Sequence, residues 1–261
     1  MVINLAWWNG AGGSNWGDAI SPVIAAQISG GRKINYVSPS DPSETFRYYS
    51  VGSIIPPSSP ASEIWGSGCM HDAQHVQHRP KKIHAVRGPL TRQVFLRSGI
   101  ECPEVYGDPA LLYPRFYRPQ IKKTHRLGIV PHYIDSQHSW VQKIRAKEGA
   151  KVINILGGIN HVVDEILSCE CIVSSSLHGL IAADAYGIPA LWIELSDKVA
   201  GGGFKFRDYF MSIGRSERDP IVISKQGLED FSFHEQRLEV DLDALYAACP
   251  YQESKCVPIK S

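Results

Sequence analysis

Three serines and a histidine stand where a predicted strand meets a predicted helix. The apolar run 171–173 is typical of a buried parallel strand, and the apolar residues of 177–185 recur at helical spacing. Ligands bind at the carboxyl ends of strands in open α/β sheets, and a helix start favours an anion. His178 can donate to that anion or move a proton. A structural alternative, in which the serines cap the helix and the histidine only packs, stays open. The junction contains Ser174, Ser175, Ser176, Leu177 and His178.

A glycine-rich loop precedes a second candidate residue, Asp18. A predicted strand at 2–8, the loop at 9–18 and a predicted helix from 19 give a layout that brings backbone N–H groups close to a phosphate. The glycine spacing is not that of the dinucleotide fingerprint, and no Gly-Lys-Ser/Thr of a P-loop follows, so the signal is weak by itself. Asp18 can cap the helix or accept a hydrogen bond from a sugar hydroxyl.

Charged residues also stand at two other predicted strand ends. The strand 83–86 ends at Arg87, and arginine suits a carboxylate or a phosphate because it offers two parallel hydrogen bonds. The structural alternative is an ion pair of Arg87 with Asp108 or Glu104. Residues 105–112 are predicted as another short strand, which contains the Gly-Asp-Pro sequence around Asp108.

Two basic residues, Lys205 and Arg207, follow three consecutive glycines in the second half of the chain. They lie within the aromatic segment 204–210. Either they face an anionic donor, in a loop that closes over the site, or the segment is an aromatic helix packed on the core.

Neither a metal site nor a disulfide framework is predicted. His71, His75 and His78 share the spacing of one helix face, but they lack an evident acidic partner, and we interpret them as a solvated surface. Cys169 and Cys171 have one intervening residue, which is not zinc-finger spacing, and we interpret them as buried free thiols.

Composition and charge point to a soluble globular protein. Of 261 residues, 43% are hydrophobic and 20% are charged. The net charge of +1 argues against a general nucleic-acid surface. The chain shows neither a signal-peptide pattern nor an apolar run of about 18 residues. We therefore expect a cytoplasmic protein, and peripheral association with the inner face of the membrane is compatible with this composition.

Strands and helices alternate in two blocks, which predicts two α/β domains. The basic, proline-rich segment 113–126 is the predicted linker. We place the domains at 1–118 and 119–237, with a final helix near 238–250 that joins the first domain. Further predicted elements are strands at 52–55, 64–69, 127–133 and 150–155 and helices at 90–96, 140–147 and 160–169.

Six short motifs, in order along most of the chain, together resemble the polysaccharide pyruvyltransferase family. Each motif is weak alone, but the ordered set is specific. The resemblance is to bacterial enzymes that modify exopolysaccharides and transfer the enolpyruvyl moiety of phosphoenolpyruvate to a sugar, often leaving a 4,6-ketal. The motifs are Asn15-Trp16-Gly17-Asp18, Trp65-Gly66-Ser67-Gly68, Val86-Arg87-Gly88-Pro89, Tyr106-Gly107-Asp108-Pro109, Val130-Pro131-His132 and Ser174-Ser175-Ser176-Leu177-His178-Gly179-Leu180.

The resemblance implies a GT-B-like fold, with two Rossmann-like α/β/α domains that face a cleft. The first domain would hold the acceptor, a glycan or a lipid-linked oligosaccharide, and the second the donor. By resemblance, Arg87 and His178 bind phosphoenolpyruvate with help from the backbone around Leu177, and Asp18 lies at the site. Ser176 stands where some members carry arginine, so Lys205 or Arg207 is expected to compensate. From the same motifs we expect substrate contacts at Asn15, Gly17, Gly68, Ser175 and Ser176.

Ketal formation needs a proton on the methylene carbon of the enol, after which sugar hydroxyls attack C2. We hypothesise that His178 or His132 is the acid and that Asp18 or Asp108 receives or orients the sugar hydroxyl, while Arg87 steadies the anion. This scheme requires no metal and no cofactor. The alternatives are a GT-B-like glycosyltransferase that uses a sugar nucleotide and an inactive carbohydrate-binding relative.

Overall fold

Two parallel β-sheets of five strands each, one from each half of the chain, form the framework. The computed structural model describes residues 2–9, 15–55, 59–73, 75–76, 78–147, 149–216, 219–223, 231–234 and 237–253. The first sheet contains β1 (Ile3–Ala6), β2 (Ile34–Val37), β3 (Arg47–Tyr49), β4 (Ser62–Trp65) and β5 (Lys82–Ala85). The second contains β6 (His125–Val130), β7 (Ala150–Val152), β8 (Cys169–Ser174), β9 (Ala190–Glu194) and β10 (Ile221–Val222).

Both sheets have the same internal strand order. The order is β2-β1-β3-β4-β5 in the first sheet and β10-β9-β8-β6-β7 in the second. In each sheet the first strand pairs with the second on one side and with the third on the other, as in flavodoxin-like doubly wound sheets. The direction of winding reverses at β1/β3 and at β6/β8. Such reversal points leave a crevice at the carboxyl ends of the strands, where ligands bind.

The helices connect the strands, as the alternating pattern predicts. The α-helices are α1 (Trp16–Ile28), α2 (Pro89–Arg97), α3 (Ser139–Arg145), α4 (Ile159–Leu167), α5 (Leu177–Ala185), α6 (Phe204–Ser212) and α7 (Leu242–Ala247). Helix α5 ends as predicted, because Gly187 adopts φ +68° directly after the cap residue. Among the described residues, no helix combines the length and apolar character needed to cross a membrane.

Some local predictions are wrong. Residues 52–55 form a bend followed by irregular backbone rather than a strand. Strands β2 and β3 arise from the polar stretch before them, where alternation is weak. Residues 109–115 form a 3-10 helix instead of continuing a strand, because Pro109 starts it and Asp108 Oδ1 accepts a hydrogen bond from the Ala110 N–H at 2.9 Å. The final helix, predicted near 238–250, covers only Leu242–Ala247.

Both halves contribute to one hydrophobic cluster, which includes Trp16 of α1 and Ile166 of α4. The backbone N–H of Trp16 donates a hydrogen bond to the Ile155 carbonyl at 2.9 Å, and its indole Nε1 donates to the Ile159 carbonyl at 3.1 Å. Helix α7 returns to the first sheet, where Trp65 Nε1 donates to the Leu245 carbonyl at 2.8 Å. The predicted domain boundaries remain a prediction. Residues 10–14 of the glycine loop and the tail from 254, with Cys256, lie outside the described residues.

Candidate active site

A cavity of about 570 Å³ lies at the carboxyl ends of the strands where both sheets reverse their winding. Its walls come from both halves: Ser53 follows β3, His132 follows β6, and Ser176 follows β8. This is the position that doubly wound sheets use for ligands. The sequence-predicted residues that line it are Asn15, Asp18, His132, Ser176, Leu177, His178 and Lys205.

The junction between β8 and α5 forms one wall of this cavity. Ser174 Oγ donates to the Val130 carbonyl at 2.8 Å and accepts from the Ser176 N–H at 3.0 Å, which turns the chain sharply. Ser176 occupies the N-cap, but its side chain makes no capping hydrogen bond, so the serine-cap alternative does not hold. A side chain at Gly179 would collide with Ser174 Oγ. The start of α5 therefore lies against β6, with its first turn at the cavity.

His178 lies on that first turn, and its ring packs on the backbone of Gly17, where a Cβ would overlap the imidazole. Gly17 thus acts by leaving room for the ring and does not line the cavity. Burial, with smaller contributions from the charges of Lys205 and Arg87, lowers the His178 pKa to about 3. At neutral pH the imidazole is uncharged and can accept a proton.

Asp108 faces His178 from the start of the 3-10 helix. Its Oδ2 lies 3.8 Å from His178 Nε2, which is too long for a direct hydrogen bond, and neither atom has another partner among the described residues. Burial raises the Asp108 pKa to about 6, against the opposing effects of the Ala110 N–H and Arg87. A proton arriving on His178 would form an ion pair with this carboxylate, so Asp108 can stabilise the imidazolium.

Asp18 on α1 and Lys205 on α6 both line the cavity, and their charges interact. Asn15, and not Asp18, caps α1: its Oδ1 accepts from the Gly17 N–H at 3.0 Å, while its Nδ2 donates to Asp18 Oδ2. Burial raises the Asp18 pKa to about 7, although Lys205 opposes this shift. The Asp18 carboxyl is therefore about half protonated at neutral pH and can serve as an acid.

Lys205 is a buried lysine on the cavity wall. Burial lowers its pKa to about 8, with Arg87 adding to the shift and Asp18 opposing it. The ammonium group is thus mostly charged at neutral pH and suits an anion. His132 has a pKa lowered to about 4, chiefly by burial and then by Lys205. Its Nδ1 accepts from the Ile134 N–H at 3.3 Å.

Arg87 lies behind the cavity wall rather than on it. Its fully buried guanidinium pairs with Asp208 through Nε at 3.0 Å and Nη2 at 2.9 Å. Nη1 donates to Ser53 Oγ at 2.6 Å, and Nη2 also donates to the Cys69 carbonyl at 2.7 Å. Arg87 is ion-paired within the fold, as the structural alternative held, but its partner is Asp208 of α6 and not Asp108 or Glu104. Direct contact of Arg87 with the donor stays a prediction.

Several other predicted residues lie around the cavity without lining it. Gly68 leaves room for the Arg87 guanidinium, which a Cβ would meet. Ser175 Oγ accepts from the His132 N–H at 2.9 Å and holds the loop after β6. Arg207 turns away, with Nη2 donating to the Gly202 carbonyl at 2.6 Å. Residues 204–212 form a helix packed on the core, as the structural alternative predicted, although Lys205 also reaches the cavity.

The remaining polar candidates do not form a second reactive site. Within the described part of the chain, no group of histidine, cysteine and acidic residues is arranged to hold a metal ion. His71, His75 and His78 are exposed. Among the described cysteines, Cys169 is a buried free thiol, whereas Cys171 is only partly buried.

The sequence patterns missed four residues that line or support the cavity: Ser53, Trp8, Tyr133 and Asp208. Asp208 anchors Arg87 but lies about 120 residues from it, so no local pattern connects them. Ser53 follows an unpredicted strand. Trp8 and Tyr133 lie shortly after β1 and β6 and line the cavity, and their places at the ends of the predicted strands 2–8 and 127–133 were the available signal.

Comparisons with known proteins identify the family of the chain. A family model described as polysaccharide pyruvyl transferase matches residues 72–197. The chain is 30% identical to uncharacterized protein L143 of Acanthamoeba polyphaga mimivirus over 219 residues, which cover 78% of this chain and 73% of that protein. It is also 30% identical to the succinoglycan biosynthesis protein ExoV of Rhizobium meliloti (strain 1021) over 167 residues, 60% of this chain and 50% of that protein. The chain belongs to the polysaccharide pyruvyl transferase family, whose members are enzymes.

Proposed function

We propose that this chain transfers the pyruvyl group of phosphoenolpyruvate to two hydroxyl groups of one sugar in a surface polysaccharide or its lipid-linked precursor. The products are a cyclic ketal and inorganic phosphate. The observation that carries the proposal is the joint presence of a buried cation, a helix start, a protonated carboxyl and a neutral imidazole in one cavity. Family membership supports it independently.

The donor carries a phosphate and a carboxylate, and its site needs positive charge and N–H donors. Lys205 supplies the charge inside the cavity, and the first turn of α5 supplies backbone N–H groups at Leu177 and His178. In this proposal Arg87 acts from behind Ser53 by adding positive potential. Lys205 takes the place of the arginine that some family members carry at the position of Ser176.

The protonation states of Asp18 and His178 suggest the order of proton transfers in the reaction. Asp18 gives its proton to the methylene carbon of the enol, and C2 becomes an oxocarbenium-like electrophile. His178 takes the proton of the first sugar hydroxyl as that oxygen bonds to C2, and Asp108 stabilises the imidazolium. His178 then returns this proton to the departing phosphate. The second hydroxyl attacks C2 and gives its proton to Asp18, which restores both groups.

This assignment reverses the hypothesis drawn from the sequence, in which a histidine was the acid. Burial lowers the pKa of both His178 and His132 well below neutral, whereas it raises the Asp18 pKa to about 7. A group gives a proton efficiently when its pKa is near the working pH. Asp18 meets that condition, whereas the two histidines carry no proton to give at neutral pH. His178 can act as the base only because the adjacent Asp108 carboxylate stabilises the imidazolium as it forms.

The proposed reaction takes place in the cytoplasm, where phosphoenolpyruvate is made, and at the inner face of the membrane when the acceptor is lipid-linked. It uses neither a metal nor a cofactor, and nucleic acid is not a partner.

The test is calorimetric titration with phosphoenolpyruvate, followed by phosphate release in the presence of candidate glycans. We expect Lys205→Met to weaken phosphoenolpyruvate binding by about tenfold or more, because it removes the cation at the cavity wall. We expect His178→Gln to lower kcat by about 100-fold or more while changing donor affinity less. Wild-type kcat/KM falls as the pH rises above about 7, since Asp18 loses its proton there.

Lys198→Met and His161→Gln are the matched controls, because both side chains are exposed and do not line the cavity. Both controls keep wild-type binding and turnover. Binding of a sugar nucleotide together with indifference to phosphoenolpyruvate would contradict the proposal and favour a glycosyltransferase. Equal donor affinity in wild type and Lys205→Met would remove Lys205 from the donor site.

A further inference from the structure

Exposed apolar side chains surround the opening of the cavity. Trp8, Tyr133, Ile134 and Leu156 line the cavity and are 46%, 47%, 42% and 38% exposed. We call these four residues the apolar rim. They follow the carboxyl ends of β1, β6 and β7, so both halves of the chain contribute. A patch of exposed large apolar side chains that is continuous with a cavity marks a binding surface rather than a solvated face.

The cavity changes in polarity from its opening inward. The inner wall contains the residues that we propose bind and activate the donor. They are the buried Ser176, Leu177 and Lys205 and the partly buried Asp18 and His178. The rim itself carries no charged side chain. An anionic donor therefore binds at the inner wall, where the charged groups lie. The rim suits a neutral ligand that binds next to the donor.

The rim combines two flat rings with two aliphatic side chains. A pyranose ring presents C–H groups on its faces and hydroxyl groups around its edge, so it packs by one face on an aromatic ring and leaves its hydroxyls to polar groups and water. The Tyr133 ring lies on the His132 ring, with centroids 4.4 Å apart, which connects the rim to the cavity wall. A membrane surface of anionic lipids would instead require lysine and arginine around the opening.

We propose that the apolar rim is an acceptor subsite, which binds a neutral pyranose of the glycan adjacent to the sugar that receives the pyruvyl group. This inference rests on the proposed function, since it assumes that the cavity holds the donor. The reacting sugar must reach the inner wall, and the next sugar along the chain then lies at the opening. The enzyme therefore recognises at least one sugar beyond the one it modifies.

The experiment measures retention of the protein on an array of neutral gluco- and galacto-oligosaccharides, with phosphoenolpyruvate present. Tyr133→Ala and Leu156→Ala remove one ring and one aliphatic side chain from the rim. Tyr36→Ala and Leu96→Ala are matched controls, because these side chains are 41% and 43% exposed but do not line the cavity. We expect the rim variants to lose roughly tenfold in saccharide affinity and the controls to match wild type.

Calorimetry with phosphoenolpyruvate separates the two proposals. Absence of donor binding to wild type counts against the proposed function, whereas rim variants that keep wild-type saccharide affinity overturn the acceptor subsite. A wild-type protein that binds phosphoenolpyruvate but retains no neutral saccharide also overturns it. Sedimentation with vesicles of phosphatidylcholine and phosphatidylglycerol provides the third arm: rim-dependent vesicle binding without saccharide binding would assign the rim to lipid.

Discussion

The pKa values of Asp18 and His178 are displaced in opposite directions by the same cause. Burial disfavours the charged form of each group, so it raises the Asp18 pKa to about 7 and lowers the His178 pKa to about 3. At neutral pH one cavity thus holds a carboxyl that is about half protonated and an imidazole that carries no charge. Such a pair suits a reaction that needs an acid and a base at once.

The residue scale provides a stability prediction for Asp18→Asn. The Asp18 pKa is about 7 in the folded protein against an ordinary value of 3.8, so the folded state binds more protons between these limits. The free energy of unfolding contributed by this group therefore falls as the pH rises from about 4 to about 7. The asparagine amide in Asp18→Asn does not titrate, so the variant does not lose this part of the free energy of unfolding as the pH rises. Urea unfolding should show that the free energy of unfolding of the variant, relative to wild type, increases by about 1 kcal/mol or more between about pH 4 and about pH 8.

The exposed Asp197 offers the control, since Asp197→Asn changes a solvated carboxylate. Its difference from wild type should stay constant over the same pH range. A constant difference for Asp18→Asn as well would mean that its carboxyl is solvated in the folded protein.

Helix α6 connects the cavity to both halves of the molecule. Lys205 lines the cavity, while Asp208 accepts hydrogen bonds from Arg87 and from the backbone and hydroxyl of Thr91. Tyr209 on the same helix donates to Asp184 of α5 at 2.8 Å. The position of Lys205 therefore depends on a helix whose adjacent residues Asp208 and Tyr209 bond to different halves of the chain.

At the scale of this element, we predict that Asp208→Asn destabilises the protein by about 3–5 kcal/mol, because it leaves the buried Arg87 charge unpaired. The groups around Lys205 are Asp18, Arg87, His132 and His178. Without Asp208 the Arg87 charge acts more strongly on Lys205 and lowers its pKa further. Phosphoenolpyruvate affinity should therefore decline at a lower pH than in wild type, which calorimetry at several pH values measures.

Asp72→Asn is the comparison, since Asp72 pairs with Arg97 at the surface with an Nη2–Oδ1 distance of 2.7 Å. That change should cost less than about 1 kcal/mol and leave donor binding unchanged. Equal destabilisation by the two substitutions would show that Asp208 has no special structural role.

The whole molecule is joined by side chains that cross between its halves. Trp16 starts α1 and is fully buried, yet its hydrogen bonds go to the carbonyls of Ile155 and Ile159 in the other half. One hydrophobic cluster extends across both sheets. The cavity lies along the same junction, so its shape depends on both halves remaining together.

At this scale we predict that the protein unfolds in a single transition, because the halves share a core. Trp16→Ala should lower the free energy of unfolding by about 3–5 kcal/mol. Trp16→Phe keeps a ring but loses the indole N–H, and the lost hydrogen bond should cost about 1 kcal/mol in addition to the cost of the smaller side chain. Far-ultraviolet circular dichroism and tryptophan fluorescence should follow the same curve. Two separated transitions would show that the halves fold independently.

The sequence by itself determined the alternation of strands and helices, the strand end that leads into α5, and the family. These features are local: apolar runs, Gly187 after a helix, and serines and a histidine at fixed spacing. It missed β3 and the 3-10 helix after Asp108, where short polar or proline-containing stretches acquire their structure from neighbours.

Only the tertiary structure decided which charges meet and what they do. Arg87 pairs with Asp208, although the sequence pointed to nearer partners, because α6 folds back against the first half. The protonation states of Asp18 and His178 also depend on burial by segments distant in the chain. Local spacing identifies groups that can carry a charge, but desolvation and long-range contacts determine whether they carry it.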